Sequence, residues 1–310
     1  RSIFSTNTVI DDKGTTSSGS NDTYGYFKKD VFSNPKPVSL IEFFIGFGLE
    51  QNDIIMDFFS GSATTADAVF RAGLDGNNYK FILVQIPESI DKMLNSSSAN
   101  AKRVAKNAIE VLDELGKEHT ITELAKERIV RAGKEIKSLE SRNTLLECGL
   151  DLLQNQNNLE VTADIDEKLS IYNELDIGFR VLKLDESNMK DIYYNPADFQ
   201  KSLLDTTIDN IKEDRTPEDL LFQVMLDLGV LLSEKIEENE IAGKKVFNVA
   251  NGYLIACFDS DVNEAVITAV AKQKPIYFVM RDSYMATDTT ATNFDQIFET
   301  YSPDTVRKVI

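Results

Sequence analysis

Asp53-Ile54-Ile55-Met56-Asp57-Phe58-Phe59-Ser60-Gly61-Ser62-Ala63-Thr64-Thr65-Ala66-Asp67-Ala68-Val69-Phe70 decides the fold. It begins as an apolar run, breaks into small residues and resumes with helical spacing. Ile54, Ile55 and Met56 read as a strand buried on both faces. Phe59 to Ala63 reads as a tight turn whose small side chains let a ligand approach the backbone. Thr64 or Thr65 is placed to cap the helix that follows, whose free N–H groups would face the turn. Strand, small-residue turn and helix N-terminus together make a nucleotide-type ligand site in an α/β fold.

The residue types narrow the ligand. A phosphate-gripping loop of the Walker kind ends in Gly-Lys-Ser/Thr, and Gly61-Ser62-Ala63-Thr64-Thr65 has no Lys. A dinucleotide fingerprint needs three glycines, and the turn has one. That counts against a nicotinamide-binding enzyme. Asp57 at the strand end would repel a phosphate. It suits a ligand with a cationic or hydroxyl-rich face, and S-adenosylmethionine carries both.

Asp57 to Ala66 resembles the cofactor motif of amino-methylating DNA methyltransferases, D-x-F-x-G-S-G-T-T, with Ala63 in place of the second Gly. Val31 to Phe43, containing Ser33-Asn34-Pro35-Lys36-Pro37, resembles the Lys-Pro motif that precedes it in that class. Lys80 to Glu88 resembles the next strand, where the family holds the cofactor ribose. Glu127 to Lys134 and Gly178 to Asp185 extend the likeness. Together they are similar to the modification subunit of type III restriction-modification systems, an adenine-N6 DNA methyltransferase. The resemblance runs over nearly the whole chain, but over only the second half of such a protein.

The resemblance implies a Rossmann-like methyltransferase half and a smaller α/β C-terminal domain. It places Ser33, Asn34, Lys36 and Pro37 on one side of the cofactor. Asp57, Phe58, Phe59, Ser60, Gly61, Ser62 and Thr64 line the other side, and Gln85 or Glu88 meets the ribose. The methyl Ala63 adds at the Gly position is tolerable at negative φ. The family's catalytic Asp-Pro-Pro-Tyr loop precedes the cofactor motif and is absent from these residues. No catalytic residue and no metal ligand is therefore expected here, and the chain reads as a fragment, inactive alone. Asn195-Pro196-Ala197-Asp198 is only a superficial likeness of that loop.

Composition bounds the rest. The chain has 310 residues, enough for two cores, with 42% hydrophobic content. No run approaches the roughly 20 apolar residues of a membrane span. Two cysteines, Cys148 and Cys257, suggest neither a disulfide framework nor a zinc site. The default compartment is a reducing cytoplasm. Lys and Arg number 33 against 51 Asp and Glu, a net charge of −18. So acidic a chain is a poor ligand for DNA phosphates, so DNA would be met mainly through a missing N-terminal part. Solubility is an equal account of the acidity.

Read in order, Asp12 to Ser20 is an exposed loop, and a helix begins after Pro37. Asp67 and Arg71 form a surface pair at i, i+4. Thr122 to Gly133 is a helix with Leu124, Ile129 and Ala132 inward and Arg128 and Arg131 on or near its polar face. The one His, His119, sits beside that helix start.

The cofactor-binding part is set at residues 1–137, a helical linker at 138–174 and a C-terminal α/β interaction domain at 175–310. In the last, Gly178 to Leu184 alternates like a strand. Thr216-Pro217 opens a helix carrying Leu220 through Leu232, and strands follow at Lys245–Val249, Tyr253–Phe258 and Ile276–Met280. Asp259-Ser260-Asp261 and Arg281-Asp282 read as polar loops at strand ends. Expected partners are a second modification subunit and the restriction subunit. A reading from another class is a non-catalytic assembly platform for those subunits.

Overall fold

A computed structural model of the chain describes residues 13–96, 98–138, 170–190, 211–281 and 288–310. The chain divides into two compact units, Arg1–Phe179 and Arg180–Ile310. Both are mixed α/β.

In the first unit β1 (Ile54–Asp57) and β2 (Lys80–Leu83) pair in parallel, with Ile54 opposite Lys80 and Asp57 opposite Leu83. Helix α3 (Thr64–Leu74) makes the crossover. Helices α1 (Thr16–Phe27) and α2 (Val38–Ile45) precede this unit, and α4 (Ala99–Glu114) and α5 (Ile121–Ile136) follow it. Helix α5 packs on α3 through Ala66, Phe70, Ala125, Ile129, Ala132 and Ile136. Helix α4 closes a second cluster with Phe27, Val31, Phe32 and Leu124.

Strand β1 is not buried on both faces as its apolar run suggests. Ile55 packs with Val38 and Val69, but Ile54 and Met56 are exposed, as are Ile82 on β2 and Phe58, Val84 and Ile86 just past the strand ends. Side chains alternate across a strand. Ile54, Met56 and Ile82 therefore lie on one sheet face, left exposed among the described residues.

The Ser- and Gly-rich start forms a helix rather than a loop from Thr16 on. Thr15 and Ser18 make a reciprocal capping box that satisfies the first turn. Gly19 lets α1 lie against the Pro35-Lys36 backbone, since a Cβ there would stand 2.1 Å from the Pro35 carbonyl oxygen. Asp22 then accepts from the Val38 N–H at 2.9 Å and fixes the start of α2. Small residues that read as loop composition are there to support the Lys36-Pro37 segment.

The second unit has a five-stranded sheet in the order β3 (Ile236–Ile241), β4 (Lys244–Val249), β5 (Leu254–Cys257), β6 (Tyr277–Met280), β7 (Val306–Val309). The first two pairings are antiparallel and the last two parallel. Helix α6 (Pro217–Asp227) covers one face, while α7 (Glu264–Ala271) and α8 (Asp288–Tyr301) build the core on the other. Thr216 and Asp219 form the expected cap, with Pro217 in the first turn. The helix stops at Asp227, short of Leu232, because the chain turns at Gly229 with φ +69°.

Gly178 to Leu184 is not a strand: it has no ladder partner among the described residues, and Leu184 is wholly exposed. Strands β3 and β7 and helix α8 were not anticipated. Asn195 to Asp198, Cys148 and most of the expected linker lie outside the described residues. No helix among the described residues is long and apolar enough to cross a membrane.

Candidate functional site

The site begins where β1 ends. One Asp57 oxygen accepts from the Phe59 N–H at 3.1 Å and the other from the Thr65 hydroxyl at 2.7 Å. The carboxylate thus ties the strand end to the first turn of α3. The Ser60 N–H donates to the Val84 carbonyl at 3.3 Å, and the Ala63 N–H to the Ser60 carbonyl at 2.7 Å. Ser60, Ser62 and Thr64 are buried, while Phe58 is exposed and Phe59 is 85% exposed. The turn is a folded backbone knot with two aromatic rings on its outside.

Two residues of the turn have left-handed backbone, Gly61 at φ +49° and Ala63 at φ +59°. Ala63 therefore lacks the negative φ at which its methyl group is readily tolerated. The chain keeps the backbone path suited to Gly and carries a methyl group through it, at a cost of about 1 kcal/mol. Ala63 is also the helix N-cap position, and neither Thr caps α3 through its side chain.

The Thr64 hydroxyl has other work. It donates to the Lys36 carbonyl at 3.2 Å and accepts from Arg128 Nη1 at 2.9 Å. This places the backbone of the Lys36-Pro37 segment directly against the turn. Within that segment Pro35 and Pro37 are buried, and Asn34 and Lys36 are exposed. The Ser33 hydroxyl oxygen is buried with no hydrogen-bond partner among the described residues. Gln85 is engaged within the fold: its Oε1 accepts from the Gly61 N–H at 2.8 Å, and its amide donates to the Ile86 carbonyl at 3.2 Å. Glu88 is exposed beyond the strand end.

Arg128, expected on or near a polar helix face, and Asp67, expected in a surface pair, lie in the interior. Both are fully buried, not solvated. Arg128 Nη1 reaches the Ser62 carbonyl and hydroxyl, each at 3.0 Å, and Nη2 reaches Asp67 Oδ2 at 3.0 Å. Asp67 also accepts from the Tyr26 hydroxyl at 3.0 Å and from Arg71 Nε at 3.0 Å. Burial and the Asp67 carboxylate push the Tyr26 phenol well above its usual range. The signal was available: Arg128 lies four residues after Leu124 and four before Ala132, both inward.

An open cavity of about 470 Å3 runs beside β1, lined by Ile41, Phe44, Ile45, Leu49, Ile54–Phe59 and Thr65. It joins Asp57, Phe58 and Phe59 to the apolar side of α2, and it does not include Ser33, Lys36, Gln85 or Glu88. In the second unit a cavity of about 350 Å3 touches none of the expected site residues. Asp259 there accepts from the Lys245 N–H at 2.7 Å. Among the described residues no group of His, Cys, Asp or Glu is placed to hold a metal ion.

Comparison with known proteins bears on this geometry. Residues 5–95, which contain the turn and the Lys-Pro segment, match the family model described as DNA methylase.

The resemblance to type III modification subunits is borne out as well. The chain is 31% identical over 121 residues to the type III restriction-modification enzyme StyLTI Mod subunit of Salmonella typhimurium, covering 39% of this chain and 16% of that one. It is 33% identical over 105 residues to the EcoP15I Mod subunit of Escherichia coli, covering 34% of this chain and 14% of that one. It is 33% identical over 93 residues to the EcoPI Mod subunit of Escherichia phage P1, covering 30% and 14%. In each pair the aligned part is at most 16% of the relative's length. The matched segment holds Asp57, Gly61, Thr64 and Lys36, and Arg128 lies beyond it.

Proposed function

We propose that this chain is the cofactor-holding portion of an adenine-N6 DNA methyltransferase of a type III restriction-modification system. In this reading the first unit is a Rossmann-like half that binds S-adenosylmethionine. The observation that carries it is the β1–turn–α3 unit, with an acid rather than a Lys at the strand end and the Lys36-Pro37 backbone against the turn. When bound, the cofactor supplies an activated methyl group on a sulfonium.

The residues present fit that group. Asp57 is held by Phe59 and Thr65 and offers negative charge to a cationic or hydroxyl-bearing ligand. Gly61 leaves room for close approach, and the first N–H groups of α3 add donors. Ser33 has a buried hydroxyl that a ligand would satisfy. Phe58 and Phe59 offer apolar surface to an adenine ring. Ser33, Asn34, Lys36 and Pro37 form one wall, and Asp57, Phe58, Phe59, Ser60, Gly61, Ser62 and Thr64 the other. Because Gln85 is engaged by Gly61, Glu88 is the acid left to meet the ribose.

The target adenine must leave the duplex before its amine can be methylated. An Asp-Pro-Pro-Tyr loop to receive that amine does not occur in the 310 residues. We assign the loop to polypeptide outside them, covering the exposed sheet face of Ile54, Met56 and Ile82. DNA is met mainly through that other part, a reading the net charge of −18 favours. Residues 1–137 then form the cofactor part and 138–174 a linker. Residues 175–310 form a domain for docking a second modification subunit or the restriction subunit, in the cytoplasm.

Isothermal titration of S-adenosylmethionine into the full-length protein tests the reading. Binding that weakens at least about tenfold in Asp57→Ala is expected. A wild-type protein that does not bind rejects it.

A further inference from the structure

We infer that Arg128 is a positioning residue of the cofactor turn, orienting from behind the Thr64 hydroxyl that ties the turn to the Lys36-Pro37 segment. The inference rests on the reading that this turn takes S-adenosylmethionine.

Arg128 projects from α5 into the space behind the turn, with its side chain wholly buried. Its guanidinium meets four acceptors in three places: the Ser62 carbonyl and hydroxyl, the Thr64 hydroxyl and Asp67 Oδ2. The polar atoms form a relay in one direction. Ser62 lies 3.1 Å from Thr64, so with Thr64 donating to the Lys36 carbonyl, Ser62 donates to Thr64. Arg128 donates to both hydroxyls and originates the relay. Arg128 thereby orients the Thr64 hydroxyl through which the turn holds the Lys36 carbonyl.

Packing alone does not call for a charge at this position. Helix α5 already buries Ala125, Ile129, Ala132 and Ile136 against α3. Replacing a buried ion pair by apolar residues of similar volume is commonly neutral or stabilising. Arg128 even leaves its Nε buried without a partner among the described residues. What an apolar residue, or a lysine, does not supply is a planar fork that holds Ser62, Thr64 and Asp67 at once. Ala63 lies between two of those contacts in a left-handed conformation that its own side chain disfavours. Arg128 grips the residue on each side of it.

Arg128→Lys keeps a charge beside Asp67 and loses the fork. In the full-length protein it is expected to weaken S-adenosylmethionine binding about tenfold or more, and to raise the cofactor KM while kcat at saturating cofactor stays within about twofold. Thr64→Val cuts the relay at its other end and should also weaken S-adenosylmethionine binding. The double variant should be no worse than the poorer single one, because both changes break one connection. Ile129→Val, on the same helix in the same cluster, lowers thermal stability without moving the affinity. If Arg128→Lys does not fold, Arg128→Gln and its KM-against-kcat split decide the matter. Wild-type binding with unchanged affinity in folded Arg128→Lys, or additive losses in the double variant, overturns the inference and leaves the proposed function standing. A wild-type protein that does not bind the cofactor rejects both.

Discussion

Arg128 and Asp67 form an ion pair of 3.0 Å with both side chains shielded from solvent. Asp67 takes a second cation, Arg71, and the Tyr26 hydroxyl as well. One carboxylate thus gathers α1, α3 and α5 behind the candidate cofactor turn. Removing it with Asp67→Ala strands a buried guanidinium and is expected to destabilise the first unit by about 3–5 kcal/mol. Urea denaturation followed by circular dichroism measures this. A loss below about 1 kcal/mol would mean the pair is not buried in solution.

Ala63 carries the opposite expectation. Its φ of +59° disfavours an L side chain, and glycine has no such penalty. Part of the gain is offset by the greater freedom of glycine in the unfolded chain. Ala63→Gly should therefore stabilise by about 0.5 kcal/mol, read as a higher Tm. A lower Tm would show that the backbone there is not left-handed.

The two glycines of α1 separate close approach from simple helix propensity. A Cβ at Gly19 would meet the Pro35 carbonyl oxygen at 2.1 Å, whereas one at Gly25 would meet nothing within 4 Å. Gly19→Ala should cost about 1–3 kcal/mol and displace the Lys36-Pro37 segment. Gly25→Ala should gain about 0.5–1 kcal/mol. Comparing the two Tm values checks both, and equal shifts would contradict the packing.

His119 predicts a pH signature. Hydrogen bonds to Asp113 at 2.9 Å and Asp91 at 3.0 Å raise its pKa above the ordinary value. A raised folded pKa means the stabilisation is fully present below about 6.5, the unfolded value. It is lost as pH rises through the folded pKa. His119→Gln should thus lower Tm on the acid side and change it little well above the folded pKa. A Tm loss independent of pH would show that charge is not involved.

Local chemistry was legible in the sequence, and distant pairing was not. Thr216-Pro217-Glu218-Asp219 announced its helix because a cap is satisfied within four residues. The β1–turn–α3 unit was legible because a change of period from strand to helix marks it. Arg128 escaped because its partner Asp67 lies 61 residues earlier and its neighbours Glu127 and Arg131 are polar. Gly178 to Leu184 alternates without a strand to pair with. Strand β3 was hidden by Glu237, Glu238 and Glu240, charges that an edge strand keeps in solvent. Of the expected site, Lys36, Asp57, Gly61, Ser62 and Thr64 come together around one turn. Gln85 serves that turn from within the fold.

Ultraviolet crosslinking of methyl-labelled S-adenosylmethionine to the full-length protein, followed by peptide mapping, tests the central claim most directly. The predicted result is label within Ser33–Pro37 or Asp57–Thr64, reduced in Asp57→Ala. Label confined to Arg180–Ile310, or labelling of the first unit that Asp57→Ala leaves unchanged, would contradict it.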